Sequence, residues 1–380
     1  MPVTTSTTSD VLVIGGGIAG VSLAYRLAAD RTVRLIEREP TLAYHTTGRS
    51  AALYLESFGN APIRALTVAS KPFLTDPPEG FDRPILTRRG SIDIAGLGRG
   101  DAVRALYEDT RVLNESATLI TPEQAGDLIP FLRADRVEAA MYDPDAADID
   151  VHALHQGFVR GAKAAGAVIE TGFGVVDLSH SGDLWTATDG NGNRRSAPVV
   201  VDAAGAWADV IGDLAGATTI GLMPLRRTAF MLPAPTGLDL RDIPTVSDVD
   251  ETFYVKPETA QLLCSPADET PSEPVDAKPE DLDIAKALEA IGEYTTLDTR
   301  RVLTPWAGLR SFVADRTPVI GYDENADGFF WCAGQGGYGI QTCAALSDVA
   351  AALVRGDALP DYVTDKGLDA AALSPQRSLP

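Results

Sequence analysis

Residues 10–20 read Asp10-Val11-Leu12-Val13-Ile14-Gly15-Gly16-Gly17-Ile18-Ala19-Gly20, and this stretch decides the fold. Val11 to Ile14 is a short apolar run with no polar residue to mark an outer face, which predicts a strand buried on both sides. The glycines end it. Val21 to Ala29 then carries apolar residues at helical spacing, and Val33-Arg34-Leu35-Ile36 is a second strand that closes on Glu37. Strand, glycine turn, helix, strand and acid together compose one βαβ unit.

Each part of the unit has a physical task. Gly15 permits the tight turn, Gly17 lets the backbone approach a pyrophosphate, and Gly20 lets the helix pack closely on the strand. The N–H groups that open the helix at Ile18 and Ala19, with the helix dipole behind them, favour a bound anion. Glu37 is placed to accept hydrogen bonds from the two ribose hydroxyls of an adenosine, with Arg38 beside it. A ligand-free glycine turn is the competing reading, and the complete context outweighs it. The unit therefore predicts an adenine dinucleotide and leaves FAD and NAD both open.

The chain has 380 residues, too many for one ordinary core, which suits two domains. A net charge of −21 argues against nucleic acid and anionic membrane surfaces as partners. The acids are spread along the chain, as in a solubilising surface. Cys264, Cys332 and Cys343 show neither metal-ligand nor CxxC spacing, so buried thiols in a reducing compartment and no metal site are expected. No stretch has the length of a membrane span. Met1 to Ser9 is a polar lead-in without the features of a signal peptide, and the expected location is cytoplasmic.

Further along, Thr47-Gly48-Arg49-Ser50-Ala51-Ala52 is a small-residue stretch expected to begin a helix against a flat ligand, with Arg49 in reach of a phosphate. Short alternating runs after about Ile85, such as Ser91-Ile92-Asp93-Ile94, predict an antiparallel sheet. The acidic turn Asp143 to Asp150 lacks the glycine and distal glutamate of a calcium loop, and reads as a turn with an N-cap for the helix Val151 to Ala165. His152 and His155 have no third ligand nearby and read as structural. Val199 to Asp202 leads into Ala203-Ala204-Gly205-Ala206-Trp207, a returning strand of the nucleotide domain. Later strands carry Arg226, Arg227 and Tyr254; for one of the two arginines a solvated strand position is expected.

A second glycine loop, Gly334-Gln335-Gly336-Gly337-Tyr338-Gly339, joins a strand to a helix near the far end. No acid follows it on a later strand, so it is not a second adenosine site. Its helix N-terminus suits the other end of the same dinucleotide, because a reduced flavin carries negative charge at its pyrimidine edge. That favours FAD, and with no cysteine assignable to a link, FAD held non-covalently. The predicted fold class is α/β with an α+β second domain. A Rossmann-like FAD-binding domain (1–84, 142–220 and 311–380) is interleaved with a substrate domain on an antiparallel mixed sheet (85–141 and 221–310).

These motifs, together with Trp306-Ala307-Gly308-Leu309-Arg310 and Gly336 to Gln341, resemble the D-amino-acid oxidase superfamily of FAD enzymes, and within it the bacterial D-arginine dehydrogenases. The resemblance extends the cofactor-binding set to Thr47, Gly48, Ser50, Ala51, Val175, Ala204, Gly205 and Trp207. It adds Gly334, Gly336, Gly337, Tyr338, Gly339, Ile340 and Gln341 at the second loop. It implies that a D-amino acid gives up its α-hydrogen as hydride, and that water converts the imino acid to a 2-oxo acid and ammonia. Arg310 is the residue expected to bind the α-carboxylate, since a planar guanidinium does so in bidentate fashion. Tyr254 and Arg227 join it by resemblance, and Gly337 and Gln341 hold the substrate or flavin edge.

The chain departs from those dehydrogenases where Leu53, Phe58 and Ser91 replace a histidine, a tyrosine and a glutamate, although Asp93 lies on the same strand face as Ser91. A guanidinium buried without its carboxylate costs about 3–5 kcal/mol, so neutral or apolar side chains are the expected preference. Oxidation of a secondary amine such as sarcosine or a cyclic imino acid is the alternative reaction, and a non-catalytic flavin protein the alternative of another class. The electron acceptor, oxygen or quinone-type, stays open.

Overall fold

The computed structural model describes residues 8–378, so most of the polar lead-in lies outside the described residues. Two sheets dominate. The first runs, in spatial order, through strands Val319–Tyr322, Phe329–Ala333, Val199–Asp202, Val11–Ile14, Val33–Glu37 and Val168–Thr171. All neighbours are parallel except the Val319–Tyr322 edge strand. Helices Ile18–Leu27, Val151–Ala164 and Gly339–Arg355 supply one apolar cluster with this sheet, including Val13, Leu23, Leu35, Phe158 and Leu346. Val11–Ile14 sits between strands reached in opposite directions along the chain, which opens a crevice at its C-terminal end.

Register brings the nucleotide motif together there. Ile14 lies beside Ile36 on one side and Asp202 on the other, so Gly15, Glu37 and Ala203 meet at one end of the sheet. Gly15 has φ +114°, and a Cβ there would collide with the Ala203 carbonyl. A Cβ on Gly20 would collide with the Gly15 carbonyl, which is why the helix can lie so close to the strand.

The second, larger sheet takes its strands from Ser91–Gly96, Thr118–Ile120 and Val137–Asp143, then from Met223–Pro233 through Pro305–Phe312. Pairing is antiparallel apart from Ser91–Gly96 against Thr245–Asp248, so the sheet is mixed. Its own core of Ile92, Phe230, Val255, Leu262 and Ile291 is separate from the first.

One segment differs from its predicted conformation. Thr47–Arg49 makes a single 3-10 turn, and the chain is extended again by Ser50 before the two-residue strand Leu53–Tyr54. The polar side chains divert it. Thr47 Oγ1 accepts the Ile18 N–H at 3.0 Å, Thr46 Oγ1 donates to the Leu309 carbonyl at 2.6 Å, and Ala52 takes a positive φ of 36°. Among the described residues no helix is long and apolar enough to cross a membrane, and no cluster of His, Cys, Asp or Glu could hold a metal ion.

Candidate active site

The crevice continues into a cavity of about 370 Å³ that runs from the first glycine turn to the second sheet. At one end Gly15, Gly17, Ile18, Glu37, Arg38, Val175 and Ala204 to Trp207 line it. Gly17 caps the first helix with no side chain, and Tyr338 caps the Gly339–Arg355 helix without a side-chain hydrogen bond. The first N–H groups of a helix have no intrahelical partners, so both helix starts present donors, with dipoles favouring an anion. The two starts adjoin: a Cβ on Gly339 would lie 3.8 Å from Ile18 Cγ2.

Glu37 has a second task that the motif does not announce. Its Oε2 accepts the Gly16 N–H at 2.7 Å and its Oε1 accepts the Glu39 N–H at 2.8 Å, so it ties down the loop it faces. A carboxylate has about four acceptor sites, which leaves room for ribose hydroxyls. His155 also braces the loop: its Nε2 lies 3.0 Å from the Gly16 carbonyl, and burial pulls its pKa down, so the neutral ring donates. Arg38 stacks over Trp207 with its guanidinium carbon 4.9 Å from the ring centroid.

The phosphate role expected of Arg49 is corrected by its partners. Its guanidinium bonds to Asp276 at 2.5 Å and to the carbonyls of Ala307 at 2.8 Å and Ala277 at 3.2 Å. It lines the cavity as a strap between the nucleotide segment and the second sheet.

At the other end the wall is a face of the second sheet. Arg227 pairs with Gly308 and Leu225 with Arg310, so the two arginines lie diagonally on one face of neighbouring strands. Tyr254 reaches the same face through Ser265, and all three side chains line the cavity. Among the described residues Arg310 has no hydrogen bond or ion pair. Burial, then the like charge of Arg227, lowers its pKa to about 10, while Tyr254, Glu269 and Tyr338 act the other way; it remains a cation at neutral pH. Gly337 makes room for it: a Cβ there would stand 3.0 Å from Arg310 Nη1 and 3.2 Å from Cζ and Nε.

Two residues that sequence reasoning passed over complete this end. Glu269 binds Arg316 at 2.6 and 3.0 Å and Arg227 at 3.2 Å. Burial would raise the Glu269 pKa, but the Arg316 hydrogen bond and the charges of Arg316, Arg227 and Arg310 hold it below the usual range. No local motif marks either residue, since they meet only through the fold. Arg226 faces away and pairs with Asp283, Glu280 and, at 3.9 Å, Asp268, so neither arginine of the pair is solvated.

Several expected site residues lie off the cavity wall. Gly20 and Gly48 act in close packing, against the carbonyls of Gly15 and Ala43. Tyr338 packs on Phe58 and Phe312 with centroid distances of 5.0 and 6.0 Å. The Gln341 amide, expected at the substrate or flavin edge, is consumed by Thr67 Oγ1 at 2.9 Å and the Leu55 N–H at 3.3 Å. Leu53 is paired with Asp148, Phe58 is 38% exposed, and Ser91 is buried inside the sheet between Thr245 and Asp143. None of these three contributes to the wall, so the expected pocket of apolar replacements is not assembled there.

The dinucleotide cradle thus opens onto a chamber walled by Arg227 and Arg310. The model of the FAD dependent oxidoreductase family (DAO) matches residues 10–353, and the chain belongs to that family, with FAD as its cofactor. It is 29% identical to mitochondrial dimethylglycine dehydrogenase of Rattus norvegicus over 275 residues, which are 68% of this chain and 31% of that protein. It is 24% identical to glycine oxidase of Geobacillus kaustophilus (strain HTA426) over 349 residues, 86% of this chain and 87% of the relative. The chain thus spans under half the length of the dimethylglycine dehydrogenases that it matches. The crystal structure of Geobacillus kaustophilus glycine oxidase superposes with a TM-score of 0.85 at 22% identity, covering 99% of this chain and 100% of that one. That likeness shows the fold.

Proposed function

We propose that the protein oxidises an amine whose neighbouring carbon carries a carboxylate, with D-amino acids as the primary class. The observation that carries this reading is Arg310, a half-buried guanidinium without a protein partner, lining the cavity with Tyr254 and the Gly337 backbone. A cation of this kind is strongly favoured to meet a carboxylate, in bidentate fashion. Bound FAD supplies the two-electron acceptor, taking hydride from the substrate carbon. The chain's residues bind and orient: Arg310 fixes the carboxylate with Arg227 diagonal to it on the same face, and the second sheet covers the chamber so that the reacting carbon is presented in one pose. The amine loses a proton and the carbon a hydride, leaving an imine that water hydrolyses to a carbonyl compound and the free amine or ammonia.

Among the residues lining the cavity the acid is Glu37, at the nucleotide end. Glu269 at the substrate end lies off the wall and is already engaged by Arg316 and Arg227, so a cationic side chain such as that of D-arginine would be buried unpaired, at a cost of about 3–5 kcal/mol. The preference for apolar side chains loses its basis, because Leu53, Phe58 and Ser91 lie off the wall. Oxidation of an N-substituted glycine is the second reading, favoured by the dimethylglycine dehydrogenases and the human sarcosine dehydrogenase among the relatives. The test is anaerobic bleaching of the flavin over a panel of D-, L- and N-methyl amino acids. Bleaching by a D-amino acid or an N-alkylglycine is expected, and silence across the panel would overturn the proposal. Reoxidation in air then separates an oxidase from a dehydrogenase.

A further inference from the structure

The chamber holds more positive charge than one carboxylate neutralises. Arg227 and Arg310 line it as two cations; off the wall behind them Glu269 is paired with Arg316, whose side chain is 43% exposed, and also reaches Arg227. Glu269 uses both oxygens on Arg316 and reaches Arg227 with one, at 3.2 Å. Arg227, on the same face as Arg310, keeps a buried Nε with no partner. Arg310 has no partner at all among the described residues. A substrate with one carboxylate leaves the cluster with one uncompensated charge, whereas two carboxylates bring it to neutrality. Buried charges are stable only when paired and hydrogen-bonded, and the unused donors number enough for a second carboxylate.

Resting on the reading above that the substrate is an amine bearing a carboxylate, we propose that this substrate carries two, one held by Arg310 and the other by Arg227. The class is an amino dicarboxylate: a D-amino acid with an acidic side chain, or a glycine carrying an N-carboxymethyl group. The diagonal placement of the arginines on adjacent strands gives each carboxylate its own guanidinium rather than one shared fork. Glu269, the acid beside Arg227, lies off the cavity wall with both oxygens on Arg316, which limits its repulsion of such a ligand.

The experiment compares kcat/KM on the holoenzyme for D-aspartate against D-asparagine, and for iminodiacetate against sarcosine. Wild type is expected to favour the dicarboxylate of at least one pair by tenfold or more, and Arg227→Met to bring that ratio close to one. Flavin absorbance titrated with succinate and with butyrate gives a second readout independent of turnover, with succinate at least tenfold tighter and Arg227→Met erasing the difference. Neutral partners turned over as well as or better than the dicarboxylates would overturn this inference while leaving the proposed function intact. A dicarboxylate preference that survives Arg227→Met overturns the assignment to Arg227. Bleaching by no amine at all removes the proposed function itself.

Discussion

Gly337→Ala probes the substrate clamp without touching a charged group. Gly337 is not among the glycines with positive φ, so alanine meets no backbone penalty there. Its Cβ would stand 3.0 Å from Arg310 Nη1 and 3.2 Å from Cζ and Nε, so the guanidinium must withdraw by a few tenths of an ångström. It retreats into a wall that already holds the like charge of Arg227. A charge-assisted hydrogen bond contributes about 1.5–3 kcal/mol, and losing roughly half of it lowers kcat/KM by about 3–13-fold. Stability should change by less than about 1 kcal/mol, since nothing apolar is displaced. The assay is steady-state kinetics on whichever amine bleaches the flavin best, with flavin content and thermal unfolding measured on the same sample. The neighbouring Gly336→Ala is the contrast: with φ +54° and a Cβ overlapping the Phe312 ring, it should lose about 2–4 kcal/mol of stability. Full flavin content with kcat/KM within twofold of wild type in Gly337→Ala would refute the reasoning, because it would mean that the guanidinium position is irrelevant to turnover.

Three further outcomes follow from the same geometry. Arg310→Ala should retain FAD, read from the visible spectrum, while anaerobic reduction slows by about 10²–10³-fold, because the substrate carboxylate is then buried without its partner. Glu37→Gln keeps the shape but turns one acceptor into a donor facing the Gly16 or Glu39 N–H, so FAD should dissociate roughly 10-fold or more readily, measured by flavin loss on dilution. Asp93 has its pKa raised to about 7 by burial and by the nearby Asp143, Glu251 and Asp248. A raised carboxyl holds its proton in the folded state, so its contribution weakens as pH rises from the unfolded value through about 7. Asp93→Asn should therefore unfold at a higher temperature than wild type at pH 8, with the difference shrinking toward pH 5; a constant difference would contradict the assignment.

The parts of the site built from backbone were legible in the sequence, because glycine is the residue that a close backbone approach demands. Gly15, Gly17 and Gly20 announce the turn, the approach and the packing, and Gly334 to Gly339 announces the second helix start. Arg310 was legible too, as a charge amid apolar neighbours. What sequence could not supply was the partner of each polar group. Arg49 reads equally well as a phosphate ligand until Asp276 and the Ala307 carbonyl are placed beside it. Gln341 follows the second glycine loop and reads as a ligand contact, yet Thr67, 274 residues away in the chain, takes its amide. Glu269 and Arg316 carry no local signal, and only the fold sets them behind Arg227.

The division between the two sheets explains why the cofactor half was readable and the specificity half was not. The cradle proposed for FAD is made of turns and helix starts whose demands are local. The chamber is set by side chains on a face of the second sheet, and its alignment depends on how that sheet is fastened to the first. The fastening runs through one segment: Thr46 donates to the Leu309 carbonyl, Trp306 donates to the Arg49 carbonyl at 3.1 Å, and Arg49 holds Asp276 and Ala307. The next residue after Leu309 is Arg310. The strap therefore fixes the strand that carries the clamp relative to the helix start that Thr47 caps, at Ile18. A stretch that sequence reads as a ligand contact thus acts through register, holding Arg310 against the dinucleotide cradle.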